Sequence, residues 1–145
     1  MSKVEDFLTK DEELQIVNAI QLAEKNTSGE IRIHLEKTTS MAHYDRALEV
    51  FTSLGMHQTV QQNGVLIYVA VADKQFVICG DKGIHDKVPA NFWDDTKNAI
   101  QKQFKTGNFK QGLVDGILKA GEQLQKHFPF QNDDTNELSN EISIG

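Results

Sequence analysis

Hydrophobic positions along the chain change their period several times, and each change marks an element. From Asp11 to Lys25 the apolar residues Leu14, Ile16, Val17, Ile20 and Ala23 form a helical stripe, with Asn26, Thr27, Ser28 and Gly29 as its stop. Ile31, Ile33 and Leu35 then alternate with Glu30, Arg32, His34 and Glu36, which predicts a strand with one apolar face, read here as an outer strand with its polar face in solvent. Ala47, Val50, Phe51 and Leu54 return to helical spacing, and Gly55 is the stop.

Residues 65–72 are continuously apolar and rich in β-branched side chains, and β character resumes at Gln75 to Cys79 after Asp73 and Lys74. This predicts a hairpin whose first strand is central. A short fourth strand is expected around Lys82 to Val88. Trp93, Thr96, Ile100 and Phe104 mark a third helix over Asn91 to Phe104, with Gly107 beyond its end. Leu113, Ile117, Ala120, Leu124 and Phe128 line one side of the last helix, while Gly112, Gly116 and Ala120 form a small-residue strip expected to bring it close to the sheet. Helices alternating with strands, one pair of them antiparallel, predict an α/β protein: a three-layer α/β/α sandwich with a small mixed central sheet of about four strands.

The 145 residues and 39% hydrophobic content suit one domain, expected over residues 1–128. Residues 129–145 form a polar, acidic tail whose aliphatic anchors are Leu138, Ile142 and Ile144. One cysteine, Cys79, excludes an internal disulfide and reads as a small buried hydrophobe. The acidic amino terminus has no secretory pattern and nothing later approaches a membrane span, so a cytoplasmic protein is expected. A net charge of -6 without a Lys/Arg cluster argues against nucleic acid and membrane as partners; metal ions, an unidentified protein partner and a monomeric state are the expectations.

In their order, TSGEIRIHLE at Thr27 to Glu36, Ala47 with Phe51 and Gly55, NGVLIYVA at Asn63 to Ala70, GDKGI at Gly80 to Ile84, and GNFKQGL at Gly107 to Leu113 resemble the TPM domain family. The family takes its name from a thylakoid lumen phosphatase-like protein and two relatives. The resemblance implies an α/β/α sandwich, divalent metal bound at loops close to the sheet edge, and a phosphatase activity proposed for some members. This chain looks like a stand-alone TPM domain, without the signal peptide, membrane helix or Gly-rich tail of many members. Gly83, Ile84 and His85 stand where many members have Gly-Leu-Glu.

The acidic, glycine-bearing segment after the hairpin carries the candidate chemistry. Asp81 and Asp86 lie just beyond a strand's carboxyl end, where open α/β sheets place ligand sites, and oxygen-rich loops suit hard cations, calcium first and magnesium second. An Asx turn at Asp81 and a solvated Asp86 are the plain alternatives. Asp94 and Asp95, in the first turn of the third helix, are ligand candidates that helix-dipole complementation also explains. Asn63 reaches the same ion if, as the family resemblance implies, its loop runs beside the one after the hairpin; otherwise Asn63 and Gly64 form a turn with positive φ. Asp115 is a further candidate with a dipole alternative.

Glu30, His34 and Glu36 share one strand face, but a solvated face is favoured over a zinc site. No nucleophile elbow, Walker loop or paired nucleophile and base is visible. The favoured function is a calcium-type divalent-metal-binding domain in which the ion pins sheet-end loops, structural or regulatory. The competing readings are a metal-dependent phosphatase of low specificity, with metal polarising a phosphoryl oxygen, and a protein interaction module.

Overall fold

The computed structural model describes residues 7–130 and 139–145. Leu138, one of the three tail anchors, falls outside them. The described elements are α1 (Lys10–Glu24), β1 (Glu30–Glu36), α2 (His43–Ser53), a 3-10 turn (Met56–Gln58), β2 (Gly64–Ala70), β3 (Gln75–Gly80), α3 (Lys82–His85), α4 (Asp94–Phe104), α5 (Phe109–Gln125) and β4 (Ser143–Ile144). They make an α/β fold around one four-stranded sheet in the order β3-β2-β1-β4. β1 is parallel to β2 and to β4, while β2 and β3 form the antiparallel hairpin.

Pleating assigns each strand residue to a layer. Ile31, Ile33 and Leu35 of β1, with Val65, Ile67 and Val69 of β2, face the larger core beneath α1, α4 and α5. Leu66, Tyr68, Ala70 and Cys79 face Ala47, Val50 and Phe51 of α2 on the opposite side. Helices therefore cover both faces, and the expected three layers are present. Thr9 starts α1 with a capping box: its hydroxyl accepts from the Glu12 N–H while the Glu12 carboxylate accepts from the Thr9 N–H.

Three expectations need correction. β1 is not an outer strand, because β2 flanks it on one side and β4 on the other. Its polar face lies under α2, where Glu30, His34 and Glu36 are all buried. The segment from Lys82 is not a strand; it turns into α3, with Ile84 buried and the Val88 N–H donating to the Ile84 carbonyl. Apolar residues four apart, Ile84 and Val88, carried that helical signal.

The fourth strand instead comes from the tail, where Ser143 and Ile144 register with His34 and Leu35. Finally, the small residues of α5 serve helix contacts rather than a sheet contact. A Cβ on Gly112 would meet Phe104 at 2.6 Å, and one on Gly121 would meet Ala23 at 2.7 Å, so α5 is wedged between α4 and α1.

Candidate functional site

The loops at one end of the sheet are gathered by backbone bonds. Asp81 donates its N–H to the Gly64 carbonyl at 2.9 Å, and Glu30 donates to the Asn63 carbonyl at 3.3 Å, so the starts of β1 and β2 meet the end of β3. The position is the carboxyl end of β3 but the amino end of the parallel pair. Gly83 presses on the preceding loop so closely that a Cβ there would lie 2.3 Å from the Gln61 carbonyl oxygen and 2.5 Å from that of Gln62. Only glycine fits under those carbonyls. The positive φ of the loop falls on Gln62, at 51°, and not on the Asn63–Gly64 pair.

Asn63 is 1% exposed, and its side-chain amide donates to the Ser28 hydroxyl at 3.3 Å, as does the Gln61 amide. Ser28 is tied in turn to the end of α5, its N–H donating to the Phe128 carbonyl at 2.9 Å. Asp81 caps α3: its Oδ1 accepts from the Lys82 N–H at 2.7 Å, one residue on rather than the two of an Asx turn. Its Oδ2 is buried and has no hydrogen-bond partner among the described residues. A carboxylate oxygen left so is costly unless a cation or donor meets it.

Of the sequence candidates, Asn63 and Asp81 share this loop cluster. Asp86 ends α3 and is exposed. Asp94 and Asp95 begin α4 at the same end of the molecule, where the preceding Trp93 ring lies 3.5 Å from a Cβ built on Gly80. Both are exposed, and Asp95 accepts from the Gln123 amide of α5 at 3.4 Å. Asp115 stands about 15 Å up α5 from its carboxyl end at Gln125, by the helical rise. The amides of Gln111, at 2.6 Å, and Gln103, at 3.3 Å, donate to its carboxylate. Among the described residues no three His, Cys, Asp or Glu side chains form a metal-ligand group. An ion at Asp81 would therefore draw on carbonyl, amide and hydroxyl oxygens.

The face of Glu36 and His34, expected to be solvated, is a buried network, and a second carboxylate environment, at Glu24, had no signal in the sequence. Under α2, Glu36 accepts from Arg46, Tyr68 and His34, and His34 meets the Ser143 hydroxyl through Nδ1 at 2.8 Å. Burial would raise the Glu36 carboxyl, but these donors outweigh it and hold the group down at about 2. Burial also pushes the His34 imidazole below its ordinary value against the pull of Glu36. At the end of α1, Glu24 accepts the Ile31 N–H at 2.9 Å on the stretch of β1 that β4 does not reach. Burial is the main cause of its rise to about 7, with Glu30 adding to it and the Ile31 bond opposing it.

The TPM domain family model matches residues 1–123. The chain belongs to the TPM domain family. Its fold is similar to the solution structure of the BA42 protein from the psychrophilic bacterium Bizionia argentinensis, at 66% identity and a TM-score of 0.94, covering 100% of both chains. Two N-terminal domains share the fold at low identity. The one from a Corynebacterium glutamicum protein is 10% identical with a TM-score of 0.65, covering 91% of this chain and 77% of that one. The one from a P. gingivalis protein is 15% identical with a TM-score of 0.69, covering 87% and 83%. None of the curated proteins compared matches the chain. Within this TPM domain, among the described residues, no helix is long and apolar enough to cross a membrane.

Proposed function

We propose that this TPM domain binds a divalent cation, calcium in preference to magnesium, at the loop cluster around Asp81, and that the ion fastens the loops at that end of the sheet. The observation that carries the reading is the buried Asp81 Oδ2 with no partner, beside a Gly83 pressed under the Gln61 and Gln62 carbonyls. Asp81, the neighbouring carbonyls and Asn63 would hold the ion, and an oxygen-only set suits calcium better than zinc. Asp86 and Asp94 are exposed nearby in sequence and would add charge from outside. Bound there, the ion supplies positive charge to the stranded carboxylate oxygen and stiffens the loops; the role is structural or regulatory rather than hydrolytic.

Calcium titration of the metal-free protein, followed residue by residue in amide NMR spectra, tests this. Saturable shifts confined to residues 28, 61–64 and 80–86, lost in Asp81→Asn, are expected. Diffuse shifts, or shifts unchanged by Asp81→Asn, would overturn the assignment.

A further inference from the structure

The opposite end of the hairpin carries a second site. A groove of about 800 Å³ runs along β3, the edge strand, and lies between that strand and α4. Because Asp81 donates to Gly64 and the β2–β3 register is antiparallel, the residues at 75, 77 and 79 turn their backbone groups inward to β2. Phe76 and Ile78 thus present N–H and C=O groups at an edge that no described strand pairs. An unpaired edge of this kind is a template for another strand.

The groove wraps the edge and has apolar lining on both faces of the sheet. On the α4 face, Phe76 meets Phe104 with ring centroids 5.5 Å apart, and Phe104 continues to Phe109 at 5.3 Å. On the α2 face the lining is Val77 with Tyr44, a residue 45% exposed. A ligand whose side chains alternate between two faces matches that lining; a compact molecule would use one side only.

Charge narrows the occupant further. The chain has 21 acidic against 15 basic residues, yet the described lining of the groove has Lys74, Lys97 and Lys105 and, among the described residues, no Asp or Glu. None of the three lysines has an ion-pair partner among the described residues. Lys97 and Lys105 stand about 12 Å apart along α4 and just past it, by the helical rise. Strand residues i and i+4 are separated by about 13 Å and point to the same face.

We propose that the β3 edge is a docking site for an extended acidic peptide of a partner protein, which adds as a fifth strand. Its two acidic residues at i and i+4 meet Lys97 and Lys105, and an apolar residue at i+2 enters the Phe76–Phe104–Phe109 pocket. Residues i+1 and i+3 lie over Val77 and Tyr44. Backbone bonds to Phe76 and Ile78 give the affinity, and the lysine spacing gives the selectivity.

The probe is the peptide acetyl-Thr-Glu-Val-Leu-Val-Glu-Thr-amide, titrated into the full chain by calorimetry and by NMR. Saturable binding is expected, with amide exchange slowed at Phe76 and Ile78 and unchanged at Val77, which is already paired to β2. Replacing both peptide glutamates by Gln, or making Lys97→Glu with Lys105→Glu at these exposed positions, should weaken binding by about tenfold or more. A peptide with Lys for both glutamates should bind the doubly reversed protein better than it binds the wild type. Lack of saturation, equal affinity for the Gln peptide, or no protection at Phe76 and Ile78 would overturn the proposal. Self-association of the chain abolished by the same lysine reversals would also overturn it, by giving the edge to a second copy.

Discussion

Arg46 of α2 grips Glu36 of β1 with two parallel donors, Nε and Nη2, each 2.9 Å from a different carboxylate oxygen. This fork links the helix to the centre of the sheet across a face that also buries Tyr68 and His34. Removing one partner strands the other charge. Arg46→Met should therefore cost about 2 to 3 kcal/mol, at the low end for a buried pair because the Arg46 side chain is partly exposed. Urea unfolding at neutral pH measures it. The paired change Arg46→Met with Glu36→Gln should recover part of the loss, since the uncompensated charge is then gone.

The same carboxylate gives the protein an acid limb. Glu36 is held at about 2 against an ordinary 4.5, a lowered value, so its stabilisation is full above about 4.5 and is lost as pH falls toward 2. Melting temperature should decline over that window in the wild type. In Glu36→Gln the decline should be shallower, starting from a lower plateau, and equal slopes for the two proteins would remove Glu36 from the acid transition.

Glu24 has the opposite sign. Its carboxyl is raised from 4.5 to about 7, mainly by burial, so its favourable contribution is complete below 4.5 and disappears as pH rises through 7. Glu24→Gln keeps an oxygen for the Ile31 N–H and removes the charge. The substitution should stabilise the fold at pH 8 by about 1 kcal/mol and do little at pH 4. Chemical denaturation at the two pH values separates this from a uniform effect of the substitution.

Metal should act on stability by mass action. An ion that binds the assembled loops and not the unfolded chain raises the melting temperature with its logarithmic concentration. Asp81→Asn keeps the cap on α3, where an amide oxygen can still accept from Lys82, so the metal-free melting temperature should change little while the calcium-dependent rise vanishes. Equal loss with and without calcium would make Asp81 a turn residue only.

Much of this architecture was legible because period and stop signals agreed: α1, α2, α4, α5 and the hairpin fall where the stripes and glycines put them. Alternation along β1 divided its two faces correctly but could not say what covered the polar one. Glu36 finds Arg46 and Tyr68, and the sequence holds no mark of that pairing between separate elements. At the candidate site, a local backbone bond at Asp81 was legible from its residue type, though not its place at the start of a helix, and the nearness of Asn63 followed from the family resemblance. Glu24 was hidden because it belongs to an exposed stretch of helix by pattern, and only the gap left beside β4 turns it inward to Ile31. The β4 strand was equally hidden: two residues are too short for any alternation to show.

The contact of α5 with α4 gives the sharpest packing test. A Cβ on Gly116 would lie 2.5 Å from Ile100 Cγ1 and 2.6 Å from its Cδ1, and Ile100 is fully buried in the larger core. The β-branched side chain is stiff at χ1 and has no solvent to move into, so the helices must separate to admit a methyl group. Gly116→Ala should destabilise by about 1 to 3 kcal/mol despite the better helix propensity of alanine. Gly107 is the control, with φ at 79° and nothing within 4 Å of an added Cβ, so Gly107→Ala costs only the left-handed backbone strain of about 1 to 2 kcal/mol. Ile100→Ala, which removes both clashing atoms, tells the two apart. Combined with Gly116→Ala it makes room at the contact and should recover part of the loss, whereas combined with Gly107→Ala it should add its own cost in full. Double-mutant cycles from urea unfolding supply the comparison, and additivity at both positions would mean that Gly116 and Ile100 do not set the spacing of the two helices.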